Sequence, residues 1–422
     1  MFLNMRKICI FLMMILCYHF IIGQTPEDNK AKYEHFRQKL TTQFIYYTGD
    51  ATIQGSHLPL EARYFNRIGQ PAAWLADATW WQGHYIAMLA TEYALLKREG
   101  LNTDKTLAEL RCAVATYRRL DLAAERCFGD SSYSVCNGFY LRDDVPTSIA
   151  PKLGLTTLWG DYTNNCGKME TRGNAPSQDQ AWASYLGFAL AQKLVDDDSL
   201  RAEIADIAYN MVKIMQYTSP NGRKYWRIVN PVTGATIQPE GDIQWLQYAH
   251  AYIGTMLSGK NMYFNHAKAC RGLWKLVQNN ILMNTHGHFR WYGVFAMATV
   301  MNDAGNGKKS CYEWLIERNE KIVKKRPDLQ QTLFFPHLPL INVVLYGQQG
   351  ELQPAALYEN YLNSAPYEGA GVTIVDGASV RSPAPWHSLS LFCPWHTENE
   401  GKFNMIDYML LYNLYQLVYA KQ

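Results

Sequence analysis

The fold is decided between residues 160 and 193, where the chain reads GDYTNNCGKMETRGNAPSQDQAWASYLGFALAQK. The first half of this stretch is polar and rich in glycine. The second half places apolar residues at helical spacing, namely Trp182, Leu186, Ala189 and Leu190. The pattern therefore predicts a loop that leads directly into a buried helix.

Asp179 is the leading candidate for a functional carboxylate in this stretch. Ser177 and Gln180 form the Ser-x-x-Gln capping box, which predicts a helix that starts at Ser177 and carries Asp179 in its first turn. The helix dipole favours an ionised carboxylate there, as a nucleophile or general base requires. Asn174 and Gln180 would supply polar contacts to a ligand. Ordinary helix-start chemistry explains the same aspartate without catalysis.

The N-terminus has the pattern of a secretory signal peptide, expected over residues 1–23. Arg6 and Lys7 precede an apolar run that is too short for a membrane span, and Gly23 offers a cleavage point. A lipid anchor at Cys17 would need a small residue before it, where Leu16 stands. We expect export to the periplasm or the exterior, with no membrane span.

Composition favours one globular domain over residues 24–422. Hydrophobic residues make up 48% of the chain, and no linker or low-complexity tract marks a boundary. Loss of Arg6 and Lys7 leaves 38 basic against 37 acidic residues, a net charge near +1, so no nucleic-acid partner is expected. The cysteine positions allow two alternatives, a disulfide between Cys127 and Cys136 or burial of the cysteines as free thiols.

Helical periodicity dominates the rest of the chain. The expected helices cover residues 29–47, 72–98, 103–126, 177–196, 198–217, 242–257, 262–282, 290–303, 308–325, 334–345 and 405–420. Short and long connections alternate, and strand patterns are confined to segments such as 224–229 and 371–375. These features predict an all-α fold of helical hairpins with its long loops on one rim.

Three short motifs resemble those of the six-hairpin glycosidase-like superfamily, the (α/α)6 toroids of secreted carbohydrate-active hydrolases and lyases. The motifs are PAAWLADATWWQGH at 71–84, GFYLRDDVP at 138–146 and RGNAPSQDQ at 172–180. The resemblance implies a single (α/α)6 toroid and an oligosaccharide or polysaccharide substrate.

The first motif places Asp77, Trp80, Trp81 and His84 on one helix face, at positions i, i+3, i+4 and i+7. Indole rings stack on sugar rings, and an aspartate against them has a raised pKa that suits a general acid. The alternative is a core stripe in which the same aromatic residues pack inward.

The second motif sets Asp143 and Asp144 beside Arg142. Adjacent side chains diverge, so one acid would pair with Arg142 while the other faces a cleft. Ordinary turn chemistry before Pro146 explains the motif equally well.

Three more aromatic or histidine residues in loop-rich regions are candidate binding residues: Trp245, Trp291 and His396. His396 ends the second of two Pro-Trp-His triplets, at 385–387 and 394–396, which would form a lid or subsite wall. His286 and His288 lack a third ligand at helical spacing, so no metal or other cofactor is expected.

The predicted activity is glycoside hydrolysis by a carboxylate pair drawn from Asp77, Asp144 and Asp179. One alternative is a polysaccharide lyase in which His250 and Tyr292 act as base and acid, with Asn174 or Arg290 neutralising a uronate. The other alternative is a carbohydrate-binding toroid without catalysis.

Overall fold

The structure is a computed structural model that describes residues 26–45, 57–66, 68–75, 78–128, 136–145, 147–159, 176, 178–218, 224–226, 228–229, 236–238, 244–262, 336–347, 354–382 and 400–420. Six candidate site residues lie outside this part of the chain: Asp77, Asn174, Arg290, Trp291, Tyr292 and His396. The predicted signal peptide at 1–23 also lies outside it, as do the predicted helices at 290–303 and 308–325 and all but the first residue of 262–282.

Helices make up 65% of the described residues. They are α1 Pro26–Lys39, α2 Ala78–Arg98, α3 Asp104–Phe128, α4 Gln178–Leu194, α5 Asp198–Ile214, α6 Gln244–Ser258, α7 His337–Tyr346, α8 Ala355–Ser364 and α9 Ile406–Tyr419. A π-helical segment, Leu40–Phe44, extends α1, and a 3-10 helix covers Thr147–Leu153. Helix α8 was not predicted; most of the others match the periodicity closely.

The all-α prediction is wrong in one respect, because the chain also forms a six-stranded mixed sheet. Its order is β3-β2-β1-β10-β8-β9, built from β1 Ala62–Phe65, β2 Pro71–Trp74, β3 Thr157–Trp159, β8 Gly371–Val375, β9 Ala378–Arg381 and β10 Gly401–Phe403. Strands β2 and β3 are parallel, and the other pairs are antiparallel. Two small hairpins stand apart from it: β4 Gln216–Thr218 with β5 Lys224–Trp226, and β6 Ile228–Val229 with β7 Thr236–Gln238.

The helix predicted at 72–98 begins later, at Ala78. Pro71 opens β2 instead of a helix, and Ala73 of β2 pairs with Arg63 of β1 on one side and Leu158 of β3 on the other. Proline is accepted at the first residue of a strand as well as of a helix. Pairing with the adjacent strand β1 and with the distant strand β3 therefore decides the conformation.

Helices α2 and α4 run side by side in the same direction. Gly83 lies against Ala183 and Ser184 near the start of both helices, and Lys97 pairs with Asp196 at their ends. Helix α6 follows the same direction beside α4, because Trp182 donates to His250 and Gln192 donates to the Leu257 carbonyl.

Helix α9 also runs parallel to α2. The Asn413 side chain donates to the Met88 carbonyl, and three residues further along α9 the Gln416 carbonyl accepts from Arg98. The described residues thus contain four parallel helices, α2, α4, α6 and α9.

Helices α3 and α5 run antiparallel to their partners. Gln82 of α2 donates to the Ala113 carbonyl of α3, and Tyr117 donates to the Thr79 carbonyl further back along α2. Asp197 caps α5 by accepting from the Leu200 amide, so that α4 and α5 form a hairpin with a short connection. Two helical hairpins, α2/α3 and α4/α5, are therefore present, while the described residues do not close a ring.

Candidate functional site

Six polar or aromatic side chains lie near the starts of parallel helices and of α7. We call them the N-terminal layer: His84, Trp182, Tyr185, His250, His337 and Asp407. All lie within the first eight residues of their helices, and all are buried. Because α2 follows β2 and α9 follows β10, the sheet fixes where two of these helices begin.

His250 of α6 joins two residues of α4. Its Nε2 accepts a hydrogen bond from Trp182 Nε1 at 3.1 Å, and its Nδ1 lies 3.0 Å from Tyr185 Oη. Burial lowers the pKa of His250 to about 3, so the ring is neutral at physiological pH. Both ring nitrogens are engaged by protein groups, which suits a residue that holds α4 against α6.

His337 links α7 to α9, and His84 is hydrogen-bonded within α2. His337 Nε2 donates to the Asp407 carbonyl at 2.6 Å, and His84 Nδ1 donates to the Trp80 carbonyl at 3.0 Å. Burial lowers the pKa of His84 to about 4 and that of His337 to about 3, with proximity to His84 also lowering the second value. Both rings are therefore neutral.

Asp407, the second residue of α9, is the most unusual acid of this layer. It is only 5% exposed, and burial raises its pKa to about 7, while the backbone amides of Asp407 and Tyr408 partly oppose that shift. Among the described residues no lysine or arginine forms an ion pair with it. A carboxyl group that keeps its proton near neutral pH is able to donate it.

No sequence pattern distinguishes Asp407 as a functional residue. Asn404 accepts from the Ile406 amide, as expected before a helix, and an aspartate in the first turn is good helix chemistry. His337 likewise follows Pro336 with no motif around it. Asp407 and His337 stand out only in the structure, where both are buried and the helices α2, α7 and α9 approach one another.

The predicted aromatic face of α2 lies inside the protein. Trp80 and Trp81 are 1% and 2% exposed, and both rings contact the ring of His84. This placement favours the core interpretation of the stripe. Gln180 is also fully buried in α4.

Asp144 does not face a cleft as an unpaired acid. Its two oxygens accept from Arg119 at 2.7 and 3.1 Å, a bidentate ion pair between α3 and the segment 136–145. Asp143 is fully buried, and its Oδ1 accepts from the Val145 amide at 3.3 Å, while Arg142 is partly exposed. Asp143 therefore stabilises the turn, and Asp144 joins this segment to α3.

Asp179 lies where the capping box predicts, in the first turn of α4, as its second residue. Trp245 is the second residue of α6. The two residues therefore lie at the starts of two neighbouring parallel helices.

No family model, curated protein or solved structure matches this chain. The side chains of the N-terminal layer and the direction of the helices are therefore the basis for a functional proposal.

The described residues contain no group of three or more His, Cys, Asp or Glu side chains placed to hold a metal ion. None of their helices is both long enough and apolar enough to cross a membrane. Cys136 carries a free thiol, so the structure lacks the bridge to Cys127.

Proposed function

We propose that the protein is an exported glycoside hydrolase, with its active site at the N-terminal ends of the parallel helices. The observation that carries the proposal is the burial of the Asp407 carboxyl at the start of α9, which raises its pKa to about 7, together with the position of Asp179 at the start of the parallel helix α4. Glycoside hydrolysis requires one carboxyl that donates a proton and a second that is ionised.

The two acids differ in the way this chemistry needs. Burial raises the pKa of Asp407 to about 7, so a large share of this carboxyl retains its proton near neutral pH, which suits the general acid. Asp179 is the second residue of α4, and the positive end of a helix dipole favours an ionised carboxylate at that position, which suits the nucleophile or general base. Asp77 directly precedes α2 and is the reserve for the ionised role. We assign no catalytic role to Asp144, because both of its oxygens accept from Arg119.

The helix directions support a closed ring of hairpins as the scaffold. In such a ring the inner helices are parallel to one another and antiparallel to the outer ones. This arrangement agrees with the parallel directions of α2, α4, α6 and α9. It also agrees with the antiparallel directions of α3 and α5 relative to their partners. We propose that the predicted helices at 262–282, 290–303 and 308–325 complete it.

The lyase alternative loses its proposed base in this arrangement. Both ring nitrogens of His250 are hydrogen-bonded inside the protein, and its pKa lies far below neutrality. A hydrolase is therefore the preferred mechanism.

The test is incubation of the mature chain with neutral oligosaccharides and with uronate polymers. New reducing ends should appear without the absorbance of unsaturated uronates. Reducing ends together with that absorbance would establish a lyase instead, and binding without product would establish a carbohydrate-binding protein.

A further inference from the structure

A cavity of about 370 Å³ lies between α1, the π-helical segment and the sheet. It shares no residue with the N-terminal layer. Phe36, Phe44, Tyr64 and Leu155 give it an apolar lining, and Lys39, Arg63 and Lys402 bring positive charge to it. A cavity of this size matches those that hold small organic ligands.

Arg63 is a half-buried cation that has no acidic partner within the described part of the chain. Its two terminal nitrogens donate to the main-chain carbonyls of Gln43 at 3.0 Å and Leu153 at 2.8 Å. Among the described residues it forms no ion pair, and burial lowers its pKa below the usual value. A guanidinium group has five N–H donors, so donors remain for a ligand.

Lys402 places a second positive charge beside it. Arg63 of β1 and Lys402 of β10 are register partners on antiparallel strands, so both side chains leave the same face of the sheet. Like charges directly opposite each other destabilise a strand pair. An anion between them would remove that cost.

The acids around the cavity do not balance these cations fully. Glu368 pairs with Lys39 at 3.2 Å, and its side chain is 72% exposed. Glu400 is the other acidic residue of the lining. Three cations therefore face two carboxylates, an excess of one positive charge.

We propose that this cavity binds a small organic carboxylic acid with an apolar body, whose carboxylate lies between Arg63 and Lys402. The aromatic lining accommodates the body, and the excess charge selects the anion over its neutral analogue. The site is independent of the proposed hydrolase activity, so either can fail without the other.

Calorimetric titration of the full chain with benzoate and with the isosteric neutral benzamide tests this proposal at low salt. Benzoate should bind with a Kd of about 1 mM or tighter. Benzamide should bind at least about tenfold more weakly than benzoate. Arg63→Gln should weaken benzoate binding about tenfold or more, since it removes a charge-assisted contact.

Lys402→Gln provides a second variant, because Lys402 makes no side-chain hydrogen bond in the described part of the chain and its loss should not disturb folding. It should weaken benzoate binding severalfold, whereas Lys105→Gln on the exposed surface of α3 should leave it unchanged. Equal binding of benzoate and benzamide would overturn the proposal. So would absence of benzoate binding at about 10 mM, or wild-type affinity in Lys402→Gln.

Discussion

Gly83 of α2 and Ala183 of α4 bring the two helix backbones into direct contact. A Cβ atom placed on Gly83 would lie under 3.0 Å from the backbone carbonyl of Ala183, and one on Gly187 would do the same with the Gly83 carbonyl oxygen. The two glycines therefore set the separation of α2 and α4, and with it the spacing of the helix starts.

We expect Gly83→Ala to destabilise the protein by about 3 kcal/mol, because the new methyl group overlaps backbone that cannot rotate away. Equilibrium unfolding in urea measures the loss. Ala202→Ser, which adds one atom at an exposed position of α5, should change the free energy of unfolding by less than about 0.5 kcal/mol. Wild-type stability in Gly83→Ala would mean that the helices separate without cost.

Local pattern in the sequence predicted the helices well and the sheet poorly. Helices α3 and α5 have one apolar face, and both start within one residue of the predicted positions. The strands are short, and β1 pairs with β10 more than 300 residues away, so no local pattern encodes the pairing. Helix α8 and strand β2 were missed for the same reason, that packing or pairing outweighs local preference.

The candidate site shows a similar limit. The spacing of Trp80, Trp81 and His84 correctly places them together, but α2 is buried on all sides over its first turns. A helix buried all round has no outward face for periodicity to identify. Asp407 was missed because its pKa depends on burial by distant segments.

Arg37 of α1 provides a second test of how the helices are held together. Its side chain pairs with Glu92 of α2 at 2.9 Å and with Glu109 of α3 at 2.6 Å, and all three side chains are largely buried. Burial raises the pKa of Glu92, but Arg37 and three hydrogen bonds outweigh it and lower the pKa below its usual value. Arg37→Met should cost about 3–5 kcal/mol at pH 7, because it leaves buried carboxylates without their cation.

Arg201→Met is the matched control for Arg37. Arg201 pairs with Asp196 and Asp198 on the surface at 3.3 and 3.4 Å. Its removal should cost less than about 1 kcal/mol. Similar losses in both variants, measured by urea unfolding, would show that the Arg37 cluster is no more than a surface network.

His250 should make stability depend on pH below 6.5. Its pKa is about 3 in the folded protein and 6.5 in the unfolded chain, so the unfolded chain binds the extra proton. The wild type therefore loses stability as the pH falls from 6.5 towards 3. The loss of unfolding free energy caused by His250→Gln should be smaller at pH 5 than at pH 7 by about 2 kcal/mol. His35→Gln, at a partly exposed ring, should show a much smaller difference.

Asp121 should show the opposite dependence. Burial raises its pKa to about 7, from 3.8 in the unfolded chain, although the Gly138 amide donates to its Oδ2 at 2.7 Å. The folded protein holds the extra proton, so this contribution to stability is lost as the pH rises from about 4 to 7. The free energy of unfolding of Asp121→Asn, compared with that of the wild type, should rise by about 2 kcal/mol from pH 5 to pH 7. Asp198→Asn, at a fully exposed side chain, should show no such gain.

Asp407→Asn and Asp179→Asn separate the two catalytic roles that we propose. The first should lower kcat on natural oligosaccharides by about 10²–10⁴ and remove the decline of activity above pH 7, because the proton donor is gone. It should retain much more activity on nitrophenyl glycosides, whose leaving group needs no proton. Asp179→Asn should abolish turnover of both substrates while the thermal midpoint changes little. An Asp407→Asn enzyme with the wild-type pH profile, or an active Asp179→Asn enzyme, would remove that residue from the mechanism.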